Sequence, residues 1–148
     1  MGRVSDELGR RVYLDTNIVI YAVEGFAAHA ASVQALLAAM DAGEVVAVTS
    51  ELTVAEVLVK PFKDQNQNVQ QAYKTFLTPT SALELSAISR ELLEAAAQVR
   101  AATKLKLPDA IHFATALREQ CDSFLTNDDL FKSVGSTKIK ILSDLILT

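Results

Sequence analysis

Four acidic residues lie at or near the points where a predicted strand ends or a predicted helix begins: Asp15, Glu56, Asp109 and Asp128. Carboxylate oxygens are the ligands that hard cations such as Mg²⁺ and Mn²⁺ prefer. Two carboxylates about 4 Å apart repel by about 4 kcal/mol at an effective dielectric near 20, so four gathered together require a cation. A bound Mg²⁺ keeps waters, accepts phosphate oxygens and lowers the pKa of an attacking water. The residue types therefore favour hydrolysis of a phosphodiester, with either one or two metal ions.

The predicted elements direct all four acids to one place. Asp15 directly follows the strand VYL, and Asp128 follows the strand SFLT, so both stand at the carboxyl ends of strands. Glu56 lies between one and two turns into a helix that starts after the strand VVAVT. Asp109 opens a helix that runs back toward the next strand, and such a helix begins near the carboxyl ends. We therefore expect the four side chains to converge on one edge of a sheet.

Asp15 and Asp109 also have ordinary structural roles open to them. Asp15 is a suitable cap for the helix that begins near Thr16. Asp109, after Pro108, fits the first turn of a helix, where the helix dipole favours a negative charge. Taken singly, each of these acids is explained as well by a helix start as by chemistry. The functional prediction depends on their convergence.

Glu56 and Asp128 have similar alternatives. Glu56 can pair with Lys60 one helical turn later, a surface contact worth about 0.2 to 0.5 kcal/mol. The apolar neighbours of Glu56 on that helix fit a solvated pair poorly. Asp128 and Asp129 are both suitable turn or cap residues. A function is therefore more strongly indicated for Glu56 than for Asp128.

The elements that must position these acids follow an alternating pattern. Short β-rich segments separated by helical patterns predict a parallel sheet with helices on both faces, which is a three-layer α/β/α sandwich. Ligands of such folds bind beyond the carboxyl ends of the strands, where strand order reverses. No linker divides the chain, so residues 1–148 are expected to form a single domain. The five predicted strands are VYL, VVAVT, ALELS, SFLT and IKIL.

The composition limits the class of protein further. Half of the 148 residues are hydrophobic, which predicts a packed globular protein. Cys121 is the only cysteine, so neither an internal disulfide nor a cysteine-based zinc site is expected. The N-terminal segment is charged where a secretory signal needs apolar residues, and no membrane span is predicted. We therefore expect a soluble, cytoplasmic protein. The net charge of −4 disfavours a protein that binds nucleic acid through charge alone.

Other kinds of site are less well supported. His112 lies one turn after Asp109, but His29 is the only other histidine and no HExxH motif occurs, which disfavours zinc. We expect His112 to lie on a helix face near the acids, within reach of a bound substrate. A phosphatase of the Asp-x-Asp type is disfavoured because the second position is Asn17. Neither GxxxxGK[ST] nor GxGxxG is present, which disfavours nucleotide-binding enzymes.

Four segments of this sequence, in order, resemble the PIN-domain family of metal-dependent ribonucleases, including the VapC-like toxins of bacterial toxin–antitoxin pairs. The segments are LDTNIVIYAVE, TVAEVLVKP, LPDAIHFATAL and FLTNDDLF, and the resemblance extends over nearly the whole chain. It implies a PIN-like fold and an endoribonuclease that acts on RNA with Mg²⁺ or Mn²⁺. It also implies a toxin function, a homodimer, and a small protein antitoxin as partner; no membrane partner is expected, because no membrane span is predicted.

The resemblance also assigns roles to residues. It places Asp15, Glu56, Asp109 and Asp128 as the metal-binding and catalytic acids, and Asn17 and Thr126 as polar residues that help to hold them. Asp129 adjoins the fourth acid and is the alternative there, although Asp128 is preferred. A non-catalytic PIN-fold module that binds RNA or a protein is the alternative function.

Overall fold

The computed structural model of the chain describes residues 3–148, and its strands form one parallel sheet. The order of the strands across the sheet is β3-β2-β1-β4-β5, and every neighbouring pair is parallel. This confirms the predicted five-stranded parallel sheet. The strands are β1 Arg11–Leu14, β2 Val46–Ser50, β3 Leu83–Ser86, β4 Ser123–Thr126 and β5 Ile139–Ile141.

Helices cover both faces of the sheet, so the predicted three-layer α/β/α sandwich is also confirmed. The α-helices are α1 Val4–Leu8, α2 Thr16–Glu24, α3 Ala30–Asp41, α4 Glu51–Lys63, α5 Gln67–Phe76, α6 Arg90–Ala102 and α7 Leu107–Arg118. Three short 3-10 segments are Ala27–His29, Asp129–Val134 and Leu142–Asp144. Within residues 3–148 no single helix is long and apolar enough to cross a membrane. Helix α2 and the segment Ala27–Asp41 together pass that test by length and composition, with a bend of 99° between them.

Alternation along the central strand β1 divides the core in two. Val12 and Leu14 face one side, where they pack with buried residues of α1 to α5. Tyr13 faces the other side, where it packs with residues of α6 and α7 and stacks on Phe124 at a centroid distance of 5.1 Å. Burial of each such large apolar side chain contributes roughly 1.5 to 3 kcal/mol. The core therefore fixes β1, and with it the residue that follows β1.

The strand order opens a crevice at the carboxyl edge of the sheet. From β1 the chain moves outward through β2 to β3, and it then returns to place β4 on the other side of β1. This reversal between β1 and β4 is the topological switch point at which parallel sheets bind ligands. Asp15 follows β1, and its backbone N–H donates to the Leu125 carbonyl at 2.9 Å. The first acid is thus held at the switch point itself.

Two helices depart from what the local sequence indicates. The short helix α1 was not predicted, because a single turn with two apolar residues carries no visible periodicity; Val4 and Leu8 are 2% and 1% exposed. Helix α4 continues to Lys63 through Pro61, although a proline ordinarily disfavours the interior of a helix. Pro61 is buried and its carbonyl accepts the Gln70 side-chain amide at 3.0 Å. Tertiary packing thus outweighs the missing helical N–H.

Candidate active site

Asp15 is almost fully buried and both of its carboxylate oxygens accept hydrogen bonds. Oδ1 accepts the Thr16 N–H at 2.9 Å, which is the predicted helix cap. Oδ2 accepts the Thr126 hydroxyl at 2.6 Å and the Asn17 amide at 3.3 Å. Burial raises the pKa of Asp15 above its ordinary value, while His112 and the hydrogen-bond donors act against that rise. The carboxylate is therefore fixed in position but costly to ionise.

Asn17 and Thr126 connect this carboxylate to the segment that carries the fourth acid. The Asn17 side-chain oxygen accepts the Asn127 N–H at 3.1 Å. The Thr126 hydroxyl oxygen accepts the Asp128 N–H at 3.1 Å while its proton goes to Asp15. The two residues thus stand where a supporting role requires them, between the start of α2 and the end of β4.

The raised pKa of Asp109 indicates that other acids lie near its side chain. The pKa of Asp109 is raised to about 6, first by burial and then by the negative charges of Asp15 and Asp128, with a smaller contribution from Glu56. His112 acts in the opposite direction. Like charges raise a carboxyl pKa only at short range in a partly buried site. The structure therefore places Asp15, Glu56 and Asp128, which come from three other segments, within electrostatic reach of Asp109.

Glu56 differs from the other acids because its charge is well supported. Its carboxylate Oε1 accepts the Thr16 hydroxyl at 2.7 Å and lies 2.6 Å from His112 Nε2. Burial alone raises the pKa of Glu56, but the hydrogen bonds from His112 and Thr16 outweigh burial and lower it. The alternative pair with Lys60 does not form, since Lys60 pairs with Asp64 at 2.9 Å. Glu56 is thus an ionised acid held inward.

His112 lies beside the acids, as the sequence predicts, but it is buried and not on an exposed face of its helix. Its side chain is 1% exposed, which leaves almost no surface for contact with a substrate. Nδ1 lies 2.6 Å from the Tyr13 hydroxyl and Nε2 faces Glu56. The sequence does contain a signal, because the neighbours of His112 in AIHFATA are apolar or small, and every residue of α7 from Ala110 to Ala116 is buried. A histidine inside such a segment must find its partners within the protein.

Thr16 is a functional candidate that the sequence reasoning missed. Its backbone N–H donates to Asp15, while its hydroxyl donates to Glu56 and lies 3.0 Å from His112 Nε2. One residue thus contacts two of the four acids. The sequence contains one indication of this role, because Thr16 directly follows the predicted site residue Asp15 and lies in the first turn of a predicted helix.

Asp128 and Asp129 are separated by their surroundings. Asp128 contributes to the raised pKa of Asp109, and its Oδ1 caps the following 3-10 turn by accepting the Leu130 N–H at 2.9 Å. Asp129 has a side chain that is 77% exposed and pairs with Lys132 at 3.3 Å. The surroundings therefore favour Asp128 as the fourth acid.

A sequence-family comparison agrees with this geometry. The family model described as the PIN domain matches residues 12–136, which include all four acids. The chain belongs to the PIN-domain family. The resemblance seen in its sequence motifs is thereby confirmed. No curated protein shows a significant sequence match to this PIN domain.

Solved structures of PIN-domain toxins share the fold. A toxin–antitoxin complex from Klebsiella pneumoniae contains a chain that is 26% identical, with a TM-score of 0.66, covering 88% of this chain and 97% of that one. VapBC2 from Rickettsia felis, bound to a DNA fragment from its promoter, gives 20% identity, a TM-score of 0.70, and coverage of 88% and 98%. Mycobacterium tuberculosis VapC20, a sarcin-ricin loop cleaving toxin, is 17% identical, with a TM-score of 0.68, covering 87% of this chain and 98% of that one.

The donor set of this PIN domain fits a hard divalent cation in its chemistry. The clustered groups are carboxylates, and their mutual repulsion is what a cation would relieve. Within residues 3–148, no three His, Cys, Asp or Glu side chains are already arranged around one metal position. The acids are thus near neighbours rather than a closed chelate.

Proposed function

We propose that this PIN domain is a metal-dependent endoribonuclease in which Asp15, Glu56, Asp109 and Asp128 hold Mg²⁺ or Mn²⁺. The observation that carries the proposal is the pKa of Asp109, raised to about 6 by burial and by other acids of the set. Maintaining that repulsion destabilises the fold unless a cation binds. PIN-domain nucleases generally use divalent metals, which supports the same conclusion.

The acids would have different roles in holding the metal ion. Asp15 and Glu56 are fixed by their hydrogen bonds and would provide anchored ligand oxygens. Asp109 stands in the first turn of α7, where the positive end of the helix dipole favours its ionised form. When bound, a divalent ion lowers the pKa of a water and stabilises charge at a phosphodiester. The acids therefore orient one reaction centre at the switch point.

We propose further that the enzyme is the toxin of a toxin–antitoxin pair. Support comes from the Klebsiella pneumoniae and Rickettsia felis structures, whose descriptions are those of a toxin–antitoxin complex and of VapBC2. RNA as the substrate class is supported by the description of VapC20 as a sarcin-ricin loop cleaving toxin. A small antitoxin and a homodimer complete the proposal. Growth arrest on expression, relieved in Asp109→Asn, would be expected of such a toxin.

The decisive experiment measures cleavage of defined RNAs by the purified chain. Cleavage is expected with Mn²⁺ or Mg²⁺, and it should stop when a chelator is added. Asp109→Asn removes one proposed ligand while keeping size and the helix start, so its cleavage rate should fall by at least about 100-fold. Cleavage that persists unchanged in this variant would reject the site. RNA binding without cleavage under any metal condition would instead favour the non-catalytic binding module.

A further inference from the structure

A set of hydrogen bonds centred on the buried His112 side chain lies beside the candidate metal site. His112 of α7 joins Tyr13 of β1 through Nδ1, at 2.6 Å from the hydroxyl. Through Nε2 it joins Glu56 of α4 at 2.6 Å and Thr16 of α2 at 3.0 Å. The imidazole thus connects four elements of the fold. Neither Tyr13 nor His112 is a candidate metal ligand.

The direction of these hydrogen bonds follows from the groups involved. An ionised carboxylate only accepts, so His112 Nε2 must carry a proton to bond with Glu56. At Nδ1 the direction depends on the protonation of the ring, because a neutral ring accepts from the Tyr13 hydroxyl and a doubly protonated ring donates to it. Thr16 donates its own hydroxyl proton to the same Glu56 oxygen at 2.7 Å. Two donors therefore converge on Oε1 of Glu56.

This arrangement gives the two oxygens of Glu56 different roles. Oε1 holds both hydrogen bonds, whereas the described residues give Oε2 none within hydrogen-bond distance. We propose that His112 is a positioning residue, which clamps Oε1 of Glu56 so that Oε2 is the oxygen presented to the metal ion. The inference rests on the proposed metal-dependent function. Hydrogen-bonded partners of this kind commonly orient metal-binding carboxylates.

The packing around His112 explains how the clamp is kept rigid. The Tyr13 ring meets the imidazole edge to face at a centroid distance of 5.8 Å and stacks on Phe124 on its other side. The imidazole is 1% exposed, so it has no room to choose another rotamer. An apolar residue of similar size would fill this space without the cost of burying polar atoms. Retaining a histidine there is explained by the carboxylate that it holds.

The test separates positioning from a general contribution to the fold. His112→Leu keeps the volume and removes the donor, while His112→Gln keeps a donor nitrogen near the position of Nε2. Mn²⁺ affinity is measured by electron paramagnetic resonance, independently of cleavage, in the otherwise wild-type chain and in Glu56→Gln. Thr115→Val is the matched control, because that buried hydroxyl bonds only the Ile111 carbonyl of its own helix, at 2.6 Å.

We expect His112→Leu to weaken Mn²⁺ binding by about 10- to 100-fold and His112→Gln by less than about threefold. In the Glu56→Gln background, where the oxygen to be clamped is already altered, His112→Leu should add less than about twofold. Thr115→Val should leave Mn²⁺ affinity within about twofold. Equal losses from His112→Leu in both backgrounds would overturn the positioning role.

A second variant protects the test against misfolding of His112→Leu, which circular dichroism and thermal unfolding would reveal. Tyr13→Phe removes only the hydroxyl that orients the ring, and we expect it to weaken Mn²⁺ binding by about two- to fivefold, again only when Glu56 is present. An unchanged affinity in Tyr13→Phe, together with failure of the Leu variant to fold, would assign His112 to stability alone. If the wild-type chain neither binds Mn²⁺ nor cleaves RNA, the proposed function fails and this inference fails with it. If it does both while His112→Leu matches it, only the inference fails.

Discussion

The two ends of helix α7 carry charges in opposite arrangements. At its carboxyl end Arg118 and Glu119 join Arg11 and Glu84 in a set of two arginines and two glutamates. Arg11 bonds Glu84 through two nitrogens, at 3.0 and 3.1 Å, and lies 3.7 Å from Glu119. Glu119 also accepts the Ser86 hydroxyl at 2.6 Å. Arg118 lies 3.6 Å from Glu119, so each of these four charges has an opposite partner.

At the amino end, roughly 18 Å away by the rise of the helix, Asp109 meets other acids instead. Within the described part of the chain, no lysine or arginine forms an ion pair with any of the four acids. The helix dipole explains one acid at the amino end and one arginine at the carboxyl end. It does not explain three further carboxylates. The paired end stabilises the fold, whereas the acids of the unpaired end repel one another, a cost that the proposed metal-binding function would explain.

The largest expected effect comes from neutralising one acid of the unpaired end. Asp128→Asn should lower RNA cleavage by at least about 100-fold, because it removes a proposed metal ligand. Asp129→Asn is the matched control, as its side chain is exposed and pairs with Lys132. Its cleavage should stay within about twofold of the wild-type rate. The reverse result in a single-turnover cleavage assay would move the fourth acid to Asp129.

A second effect should appear in stability rather than in cleavage. The pKa of Asp109 is about 6 in the folded protein and near 3.9 in an unfolded chain, so the folded state binds this proton more tightly. Its contribution favours folding below pH 4 and is lost as the pH rises through 6. In the metal-free protein, Asp109→Asn should therefore raise the free energy of unfolding at pH 7. With solvent screening, we expect a gain of about 1 to 2 kcal/mol.

Urea denaturation with a chelator present measures this gain at pH 7 and at pH 4. The difference between Asp109→Asn and wild type should shrink toward zero at pH 4, where both side chains are neutral. Saturating Mn²⁺ should stabilise the wild type more than the variant, by about 2.7 kcal/mol for the wild type at 100 times the dissociation constant. An Asn variant that is less stable than wild type at pH 7 would show that the acids are not in repulsion.

The sequence was sufficient to predict the parallel sheet and the approach of the acids to one edge of it. Asp15 and Asp128 each follow a short apolar strand, and parallel strands end at a common edge, so their meeting follows from local pattern. The contact between His112 and Glu56 could not be predicted in this way. These residues are 56 positions apart on two helices, and their contact depends on how both helices are rotated against the sheet. Periodicity indicates that His112 is buried, but not which polar group it meets.

The ion pairs at the carboxyl end of α7 were not predicted from the sequence, for the same reason. Arg11 lies 73 residues from Glu84 and 108 from Glu119, and β2 separates the strands that carry Arg11 and Glu84. Nothing in the local sequence of either segment selects the other. Strand order decides the match, and strand order is known only once the sheet has formed. Function at the switch point is therefore easier to predict than stabilising pairs elsewhere.

The smallest expected effect comes from the paired end. Glu84→Gln removes one charge from a pair whose side chains are 32% and 48% exposed. Exposed pairs of this kind contribute about 0.2 to 1 kcal/mol, and the remaining glutamate still partners Arg11. We expect a loss of about 0.5 kcal/mol in the urea-measured free energy of unfolding and unchanged RNA cleavage. A change in cleavage larger than about threefold would mean that the two ends of α7 are coupled, and the division between a stabilising end and a reactive end would no longer hold.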